Sequence, residues 1–328
     1  DEIDNQIKWH NDFGQKRMHN MIADRGDWCI SRQRLWGVPI PIIYCEDGSP
    51  IMDMEVFEHI ADLFEQHGSN IWFESEAKDL LPYGYVNEKS PNGLFTKEKD
   101  IMDVWFDSGS SWNELSARGY DYPCDLYFEG SDQYRGWFNS SLIVSTAVNG
   151  TAPYKEVLSH GYVCDSKGEK MSKSVGNVVN PMDIINKNGA DVFRLWAMTS
   201  DFKEDLKLGP SNIKQVSDQY RKVRNTFRFL LGNLNPADFD PKKDMIAYEN
   251  LEPVDQYVMI QLNEVIEKTV KAVLSYDYID ANKTLVNFMT NDMSSYYCDF
   301  TKDILYCSAK NDTRRRQVQS VFWQATDA

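Results

Sequence analysis

Two lysines near the middle of the chain have a spacing that suits a polyphosphate. Segment 170–174 reads Lys-Met-Ser-Lys-Ser, and Gly168 and Gly176 flank it, which predicts a mobile loop. The ammonium groups of Lys170 and Lys173 are compact charges that can follow phosphate oxygens as negative charge moves toward a leaving group. Donors placed where charge develops are usually the largest catalytic contribution. The alternative is a solvated Lys/Ser loop, and these five residues alone favour neither reading.

A carboxylate at the end of a predicted strand is the second candidate. The apolar run 126–128 predicts a strand buried on both faces, and Glu129 follows it directly. Gly130 comes next, and a helix with Ser131 as its N-cap is predicted to run to about residue 148. A second apolar run, 157–163, completes a βαβ unit, which favours a parallel sheet.

The predicted sheet would bring polar groups to one edge. Open α/β sheets bind ligands at the carboxyl ends of their strands, where Glu129 can accept hydrogen bonds from an ammonium group or from ribose hydroxyls. A single glutamate at such a place is otherwise more often a solvated turn residue. His160 lies at the end of the second predicted strand, immediately before Gly161, and is a candidate nucleotide contact, although a single histidine is more often structural.

Four segments differ in their hydrophobic pattern: 1–45, 46–100, 101–205 and 206–328. The first begins with a helical pattern and ends in a proline-interrupted apolar run, 38–44, which indicates an extended segment. The second contains one helix that ends at Gly68. Its predicted apolar face consists of Phe57, Ile60, Ala61 and Phe64.

The last segment is predicted to be helical. Apolar residues at steps of three and four predict a long helix ending at Gly232, formed by Ile213, Val216, Tyr220, Val223, Phe227 and Leu230. Arg221, Arg224 and Arg228 share another face of this helix, about 100° from the apolar stripe. They are candidates for contacts with nucleic-acid phosphates, and a solvated face is the equal alternative. Further helices are predicted at 281–289 and 314–326, and the arginines 314–316 are expected to be solvated.

The composition restricts the class of protein. The hydrophobic fraction of 42% and the charged fraction of 26% are typical of a globular chain. The longest apolar stretch, 142–148, is far shorter than the ~20 residues of a membrane helix, and no signal segment precedes it. We therefore expect a cytoplasmic protein that has no membrane partner. The net charge of −15 excludes nucleic-acid binding through overall positive charge, so any such contact must use local basic patches.

The six cysteines do not form a metal-binding pattern. They lie at 29, 45, 124, 164, 298 and 307, without a Cys-X-X-Cys pair or a histidine cluster nearby. Structural zinc sites normally use closely spaced pairs of ligands, so we assign no metal site to the sequence. We expect reduced core thiols, because a chain of this composition builds a core without disulfides.

Five ordered motifs together resemble one family. Lys-Met-Ser-Lys-Ser at 170–174 is similar to the second signature of the class I aminoacyl-tRNA synthetases. Asp-Val-Trp-Phe-Asp-Ser-Gly-Ser at 103–110 and Glu-Gly-Ser-Asp-Gln-Tyr-Arg-Gly-Trp-Phe at 129–138 resemble the isoleucyl-tRNA synthetases of bacterial type. Residues 28–37 resemble the segment that re-enters the catalytic body after the editing insertion, and 189–196 the helix after the signature loop. The resemblance covers essentially the whole chain.

The resemblance implies a fold and a set of domains. It implies an α/β chain: the second half of a Rossmann-like nucleotide fold with an insertion, followed by a helical bundle. In these terms 1–45 is the re-entry segment and 46–100 a connective insertion. Residues 101–205 are the C-terminal half of the catalytic domain and include the loop between Gly168 and Gly176, here called the lysine loop. Residues 206–328 are a truncated stem-contact and anticodon-binding domain. Both ends of the chain, by this comparison, are expected to be internal to a longer protein.

The resemblance also implies an activity, that of an isoleucine–tRNA ligase. Such an enzyme uses ATP, bound with Mg²⁺, to form isoleucyl-adenylate and transfers the acyl group to tRNA(Ile). Lys170 and Lys173 are the implied catalytic residues. The implied contacts of the adenylate or ATP are Glu129, Gly130, Asp132, Gln133, His160 and Lys173. Trp105 and Trp137 are implied to flank the isoleucine side chain.

The first class I signature, His-Ile-Gly-His or a variant, does not occur in the sequence. The isolated chain is therefore expected to be inactive without the preceding half of the protein, and its exposed sheet edge favours self-association. Two alternatives stay open. One is a synthetase of valyl type, and the other is a non-catalytic derivative that binds tRNA.

Overall fold

A three-stranded parallel sheet organises the first of two units in the structure, a computed structural model that describes all residues 1–328. The first unit comprises residues 1–160 and the second 161–328. The strands of the first unit are β1 (Lys8–Trp9), β2 (Ser31–Arg32), β3 (Ile43–Tyr44), β4 (Thr96–Lys97), β5 (Ile101–Met102), β6 (Cys124–Gly130) and β7 (Tyr154–His160). Its α-helices are α1 (Gly14–Ala23), α2 (Met54–His67), α3 (Ile71–Glu74), α4 (Val104–Gly109), α5 (Trp112–Ala117) and α6 (Trp137–Asn149).

The sheet has the order β1-β7-β6, and both pairs of strands are parallel. Since α6 connects β6 to β7, the predicted βαβ unit is confirmed. The helix begins later than predicted, because Ser131 starts a short 3₁₀ turn, Ser131–Tyr134, and makes no capping hydrogen bond. Beneath the sheet lies a core that includes Met18, Tyr134, Phe138 and Val157.

Two expectations about these strands are wrong. β6 is not buried on both faces, because it forms an edge of the three-stranded sheet and Phe128 is 50% exposed. The second apolar run is not one strand either, since β7 ends at His160 and Val163 begins a strand of another sheet. A continuous apolar run therefore did not indicate burial on both faces here.

The short strands β2 to β5 form two further sheets of two strands each. β3 pairs with β4 in antiparallel register, and β2 pairs in the same way with β5. The predicted helix is confirmed as α2, which Asp53 caps and which ends at Gly68 with a φ of 78°. Its buried face is rotated from the predicted one, because Val56 and Ile60 are buried whereas Ala61 is exposed.

The second unit is mostly helical. Its two strands, β8 (Val163–Cys164) and β9 (Leu206–Lys207), are parallel partners. Its longer helices are α7 (Pro181–Asn188), α8 (Ala190–Met198), α9 (Pro210–Gly232), α11 (Pro253–Leu274), α12 (Tyr278–Asn287) and α15 (Thr313–Asp327). The shorter ones are α10 (Pro241–Asp244), α13 (Cys298–Phe300) and α14 (Lys302–Cys307), and a π-helix spans Phe288–Tyr297.

The helices of this unit pack around two cores. Residues of α8 and α9 form the first with Leu208, and the second includes Leu230, Val258, Tyr297, Val318 and Phe322. The predicted helix ending at Gly232 and the predicted helix at 314–326 are confirmed as α9 and α15.

The expectation that the arginines 314–316 are solvated is wrong. Arg314 donates hydrogen bonds to both carboxylate oxygens of Asp255, and Arg315 donates to Asp238. The side chain of the third arginine is also mostly buried. Partners about 60 to 80 positions away hold these side chains inward, and no local pattern indicates such partners.

None of the helices combines the length and the apolar character that a membrane span needs. No group of three or more His, Cys, Asp or Glu side chains lies close enough together to hold a metal ion. All six cysteines are free thiols.

Candidate functional site

The carboxyl ends of β6 and β7 place several of the candidate residues together. Gly130 lies opposite His160 in the parallel register, and Glu129 is the exposed residue just before it. A Cβ atom at position 130 would lie 2.7 Å from Oδ1 of Asp132 and 3.7 Å from Cε1 of His160. A side chain at position 130 would therefore displace the carboxylate of Asp132 from this strand end, whereas the imidazole lies at an ordinary contact distance.

The turn after β6 positions Gln133. Its side-chain Oε1 accepts a hydrogen bond of 2.9 Å from the backbone N–H of Trp137, the first residue of α6. A side-chain acceptor at this place satisfies a donor that the first turn of a helix leaves without a partner. The amide group of Gln133 also lies 3.4 Å from the carboxylate of Asp132. The turn thus fixes two of the candidate residues relative to α6.

Trp137 is held from two directions. Its indole N–H donates to the backbone oxygen of Ser108 at 3.0 Å and lies 3.2 Å from the hydroxyl of Ser111. Its ring stacks on Tyr127, with centroids 4.0 Å apart and planes inclined by 13°. Burial raises the pKa of Tyr127 to about 12, so this supporting ring stays neutral at physiological pH.

A shallow pocket of about 430 Å³ opens at this place. The residues that line it are Ser108, Ser111, Glu129, Gln133 and Trp137. Its lining combines one carboxylate, one amide and one large aromatic ring, which suits a ligand with both a cationic or hydroxyl group and an apolar group.

Trp105 lies against the turn that begins α6. A Cβ atom at Gly136 would lie 2.7 Å from both the outer edge of the Trp105 ring and Oε1 of Gln133. Trp105 is 40% exposed, so one part of its ring remains available to a ligand. The structure therefore brings the ring of Trp105 against Gly136, the residue that directly precedes Trp137.

The lysine loop belongs to the second unit. Lys170 forms an isolated antiparallel bridge with Cys164 at the end of β8, and the carboxylate of Asp165 closes the turn between them. That carboxylate accepts hydrogen bonds of 2.9 Å from the backbone N–H groups of both Lys167 and Glu169. These bonds, together with one from Asn177, lower the pKa of Asp165.

Asn177 connects the two halves of the loop. Its Oδ1 accepts a hydrogen bond of 2.9 Å from the Ser172 N–H, and its Nδ2 donates to the backbone oxygen of Lys170 at 3.3 Å and to Asp165 at 3.0 Å. Met171, between them, packs against the core formed by α8 and α9. The backbone of the loop is thus ordered although its lysine side chains point into solvent.

The two lysines have different surroundings. The ammonium group of Lys170 lies 4.5 Å from the centroid of the Tyr162 ring, within the range of a cation–π interaction. Lys173 is exposed and makes no hydrogen bond or ion pair. Both cations are available to an anionic ligand, since neither is paired with a carboxylate.

The three candidate arginines of α9 are all exposed. Arg221 forms a 3.3 Å ion pair with Asp218, whereas Arg224 and Arg228 have no acidic partner. Because exposed ion pairs are weak, an external phosphate can compete for the first arginine as well.

Several residues that support the candidate site residues were not found from the sequence. Ser108, Ser111 and Tyr127 contact Trp137, and Asn177 fixes the lysine loop. Asp103 caps α4, through a bond from the Trp105 N–H to its Oδ1. An aspartate just before a helical pattern is a recognised N-cap signal, so only this last residue had a local signature.

Comparison with known proteins identifies the class. Residues 1–209 match the family model of the class I tRNA synthetases (I, L, M and V), and residues 255–328 match that of the anticodon-binding domain of tRNA ligase. Since the first match covers more than half of the chain, the chain belongs to the class I tRNA synthetases.

Curated relatives within this class are named isoleucine–tRNA ligase. Those of Streptococcus agalactiae, Lactiplantibacillus plantarum and Bacillus subtilis are 55%, 56% and 54% identical over 98%, 97% and 97% of this chain. The resemblance to the isoleucyl enzymes that the motifs indicate is thus confirmed. The chain spans 35%, 34% and 35% of the lengths of these three relatives.

Solved structures confirm the predicted fold class. The LeuRS of Agrobacterium radiobacter, in a ternary complex with tRNA and LeuAMS, has a TM-score of 0.64 at 18% identity, covering 92% of this chain and 41% of that one. The methionyl-tRNA synthetase of Mycobacterium tuberculosis, in complex with methionyl-adenylate, has a TM-score of 0.63 at 16% identity. It covers 98% of this chain and 54% of that one.

Proposed function

We propose that the chain is part of an isoleucine–tRNA ligase, which activates isoleucine with ATP and transfers it to tRNA(Ile). The observation that supports this most is the pocket at the end of β6. It combines Glu129, Gln133 and Trp137 and lies beside the turn that packs on Trp105. These residues come from the two motifs that resemble isoleucyl enzymes, and the named relatives agree with that specificity.

In the proposed first step, a carboxylate oxygen of isoleucine attacks the α-phosphorus of ATP. A new P–O bond forms, the bond from that phosphorus to the bridging oxygen breaks, and pyrophosphate leaves with the electron pair. Glu129, an exposed carboxylate at a strand end, accepts hydrogen bonds from the ammonium group or the ribose hydroxyls. Gly130, Asp132, Gln133 and His160 contact the rest of the adenylate.

Trp105 and Trp137 recognise the aliphatic side chain by its shape. A pocket of this kind gains only ~1–3 kcal/mol from one methylene group, a general limit for which the choice of isoleucyl enzymes between isoleucine and valine is the established example. The position of the two rings therefore matters more than any added polar contact.

Lys170 and Lys173 stabilise the charge that develops on the phosphates. ATP is bound with Mg²⁺, which neutralises part of the triphosphate charge and enters with the substrate. Hydrogen bonds from Asn177 hold the loop backbone, and Lys170 and Lys173 project from it as exposed cations that can reach the leaving group.

In the proposed second step, a terminal ribose hydroxyl of tRNA attacks the carbonyl carbon of the adenylate. The acyl–phosphate bond breaks, AMP leaves with the electron pair, and the proton of the hydroxyl passes to the departing phosphate. Arg221, Arg224 and Arg228 contact tRNA phosphates, since they form an exposed basic face on an otherwise acidic chain.

The test is a chimaera in which this chain replaces the segment that it matches in the full-length Bacillus subtilis relative. We expect isoleucine-dependent exchange between pyrophosphate and ATP, with a lower kcat/KM for valine. The isolated 328-residue chain should show no exchange. A chimaera without exchange, or with a preference for valine, would contradict the proposed function, and exchange by the isolated chain would contradict its predicted inactivity.

A further inference from the structure

Asp103 is a buried carboxylate outside the set of residues that contact the pocket. It lies between β5 and α4 and is 5% exposed. Its Oδ2 accepts hydrogen bonds from the indole N–H of Trp28, at 3.0 Å, and from the guanidinium group of Arg32. Its Oδ1 accepts a 3.1 Å hydrogen bond from the backbone N–H of Trp105. Both oxygens are therefore used, and the buried charge is paired.

The segment that Asp103 caps is short. α4 has only six residues, and an isolated helix of that length is not stable in water. The side-chain cap satisfies a backbone donor in its first turn, which adds stability where the helix has little of its own. The ring of Trp28 also lies 6.1 Å from that of Phe106, on the same helix. The first turn of α4 thus depends on contacts with residues 28 and 32.

α4 contacts both tryptophans of the proposed pocket. Trp105 belongs to its first turn, and its ring packs on Gly136 with no room for a Cβ atom. Ser108, near the other end of α4, accepts the hydrogen bond from the indole of Trp137. A displacement of this helix would therefore move one ring and remove a hydrogen bond from the other.

We propose that Asp103 is a positioning residue for isoleucine specificity. It holds Trp105 and the Ser108 backbone in place, and the hydrogen bonds from Trp28 and Arg32 fix its own position. This inference rests on the proposed function, since it assumes that the two rings flank the substrate side chain. The partners of Asp103 come from a segment more than 70 residues earlier in the chain, so the pocket wall depends on residues that do not line the pocket.

An uncharged side chain of the same shape cannot replace the carboxylate. Asparagine at position 103 retains one acceptor, but its amide group places N–H donors beside a guanidinium group that also only donates. At least one of the three hydrogen bonds is then lost, and Arg32 loses its charged partner. The expected result is a mobile first turn of α4 rather than an unfolded chain.

The test compares Asp103→Asn with Asp100→Asn in the chimaera described above. Asp100 is a suitable control because it also bonds to the early segment, at 2.6 Å to Gln33, but at the surface and outside α4. We expect Asp103→Asn to lower the ratio of kcat/KM for isoleucine over valine about 3- to 10-fold, through a higher KM for isoleucine. The KM for ATP should change less than about twofold. The control should leave the ratio unchanged.

A purely structural role would reduce activity with both amino acids equally. An unchanged ratio, whatever the loss of overall activity, would therefore overturn the inference. Arg32→Met should lower the same ratio by a smaller factor, and it serves as the second variant if Asp103→Asn does not fold. The double variant should lose no more than Asp103→Asn alone, because both residues act through one contact. Losses that multiply would contradict that coupling.

Hydrogen exchange in the isolated 328-residue chain provides a readout that does not depend on activity. We expect Asp103→Asn to accelerate exchange of the Trp105 amide, whereas Asp100→Asn should not. Unchanged exchange would overturn the positioning role even if the chimaera were inactive. A chimaera without isoleucine activation, in contrast, would contradict the proposed function and not the contact between Asp103 and α4.

Discussion

Lys173 is the residue whose surroundings fit a phosphate ligand most simply. It is exposed and unpaired, whereas Lys170 already lies on the Tyr162 ring. We expect Lys173→Ala in the chimaera to slow adenylate formation about a hundredfold, because a donor to developing charge is lost. Isoleucine binding should change far less. Pre-steady-state adenylate formation and equilibrium binding of isoleucine measure the two effects separately.

Lys167→Ala is the matched control for this prediction. Lys167 is also exposed and lies in the same loop, at the tip of the turn that Asp165 closes. Removal of its side chain lowers the charge by the same amount and should leave the rate nearly unchanged. Equal losses in the two variants would indicate that only the overall charge of the loop matters.

Asp255 is fully buried, and its charge depends on one arginine. Its carboxylate accepts hydrogen bonds from Arg314 and a 2.7 Å bond from the Tyr297 hydroxyl. We expect Arg314→Met to lower the free energy of unfolding by about 3–5 kcal/mol, because it leaves a buried charge without its partner. Urea unfolding measures this value. Arg221→Met, which removes an exposed ion pair, should cost less than about 1 kcal/mol.

The ionisation of Asp103 predicts a pH dependence. Burial raises its pKa, but the bonds from Trp28 and Trp105 and the Arg32 charge outweigh this, so the pKa is lowered overall. A lowered pKa stabilises the fold above the unfolded pKa of about 3.9, and this stabilisation is lost as pH falls through the folded value. The stability advantage over Asp103→Asn should therefore be constant above about pH 5 and shrink below about pH 4.

Asp107, on the same helix, serves as a control because its pKa shift has the opposite direction. Burial raises its pKa, and the negative charge of Asp103 adds to the effect. The charged form of Asp107 thus destabilises the fold, so Asp107→Asn should gain stability relative to the parent chain as pH rises above the unfolded pKa of about 3.9. Urea unfolding at several pH values measures both variants. Parallel pH profiles for the two would contradict the assigned environments.

Among the elements, the lysine loop is held in its conformation by the side chain of Asn177. Asn177 joins the backbone at Lys170 and Ser172 to the carboxylate of Asp165. We expect Asn177→Ala to speed hydrogen exchange of the Ser172 amide and to raise the KM for ATP about tenfold, since the lysines lose their fixed backbone. Asn180→Ala, which removes only the cap of α7, should affect neither. Unchanged Ser172 exchange would contradict the role of Asn177.

The elements differ in how far their sequence predicts them. Hydrophobic spacing predicted α2, α9 and α15, because these patterns depend on local periodicity, and two apolar runs on either side of a helix predicted the βαβ unit. It did not predict the exposure of Phe128, since strand order decides which strand is an edge. The inward position of Arg314 was also missed.

In the candidate site, too, the sequence predicted some residues and missed others. The motifs predicted Glu129, Trp105 and Trp137, and whether these contact a ligand stays a prediction. Residues that position them were missed, because their bonds join distant segments: Trp28 and Arg32 reach Asp103 across more than 70 residues. Side-chain partners at such separations have no periodic signature in a single sequence.

At the scale of the whole molecule, the two units contain different parts of the proposed chemistry. The first unit contains the pocket with Glu129 and Trp137, and the second contains the lysine loop and the exposed arginines of α9. We propose that recognition of the amino acid depends on the first unit and stabilisation of phosphate charge on the second. Substitutions in the two units should accordingly affect different kinetic constants.

Whether Glu129, Trp105 and Trp137 form an isoleucine-specific pocket can be measured by isothermal titration of a non-hydrolysable isoleucyl-adenylate analogue into the 328-residue chain. The valyl analogue and a Glu129→Ala variant are the controls. We expect the isoleucyl analogue to bind more tightly than the valyl analogue and Glu129→Ala to weaken the binding of both. Equal affinity for the two analogues, or no binding of either, would contradict the claim that these residues form an isoleucine-specific adenylate pocket.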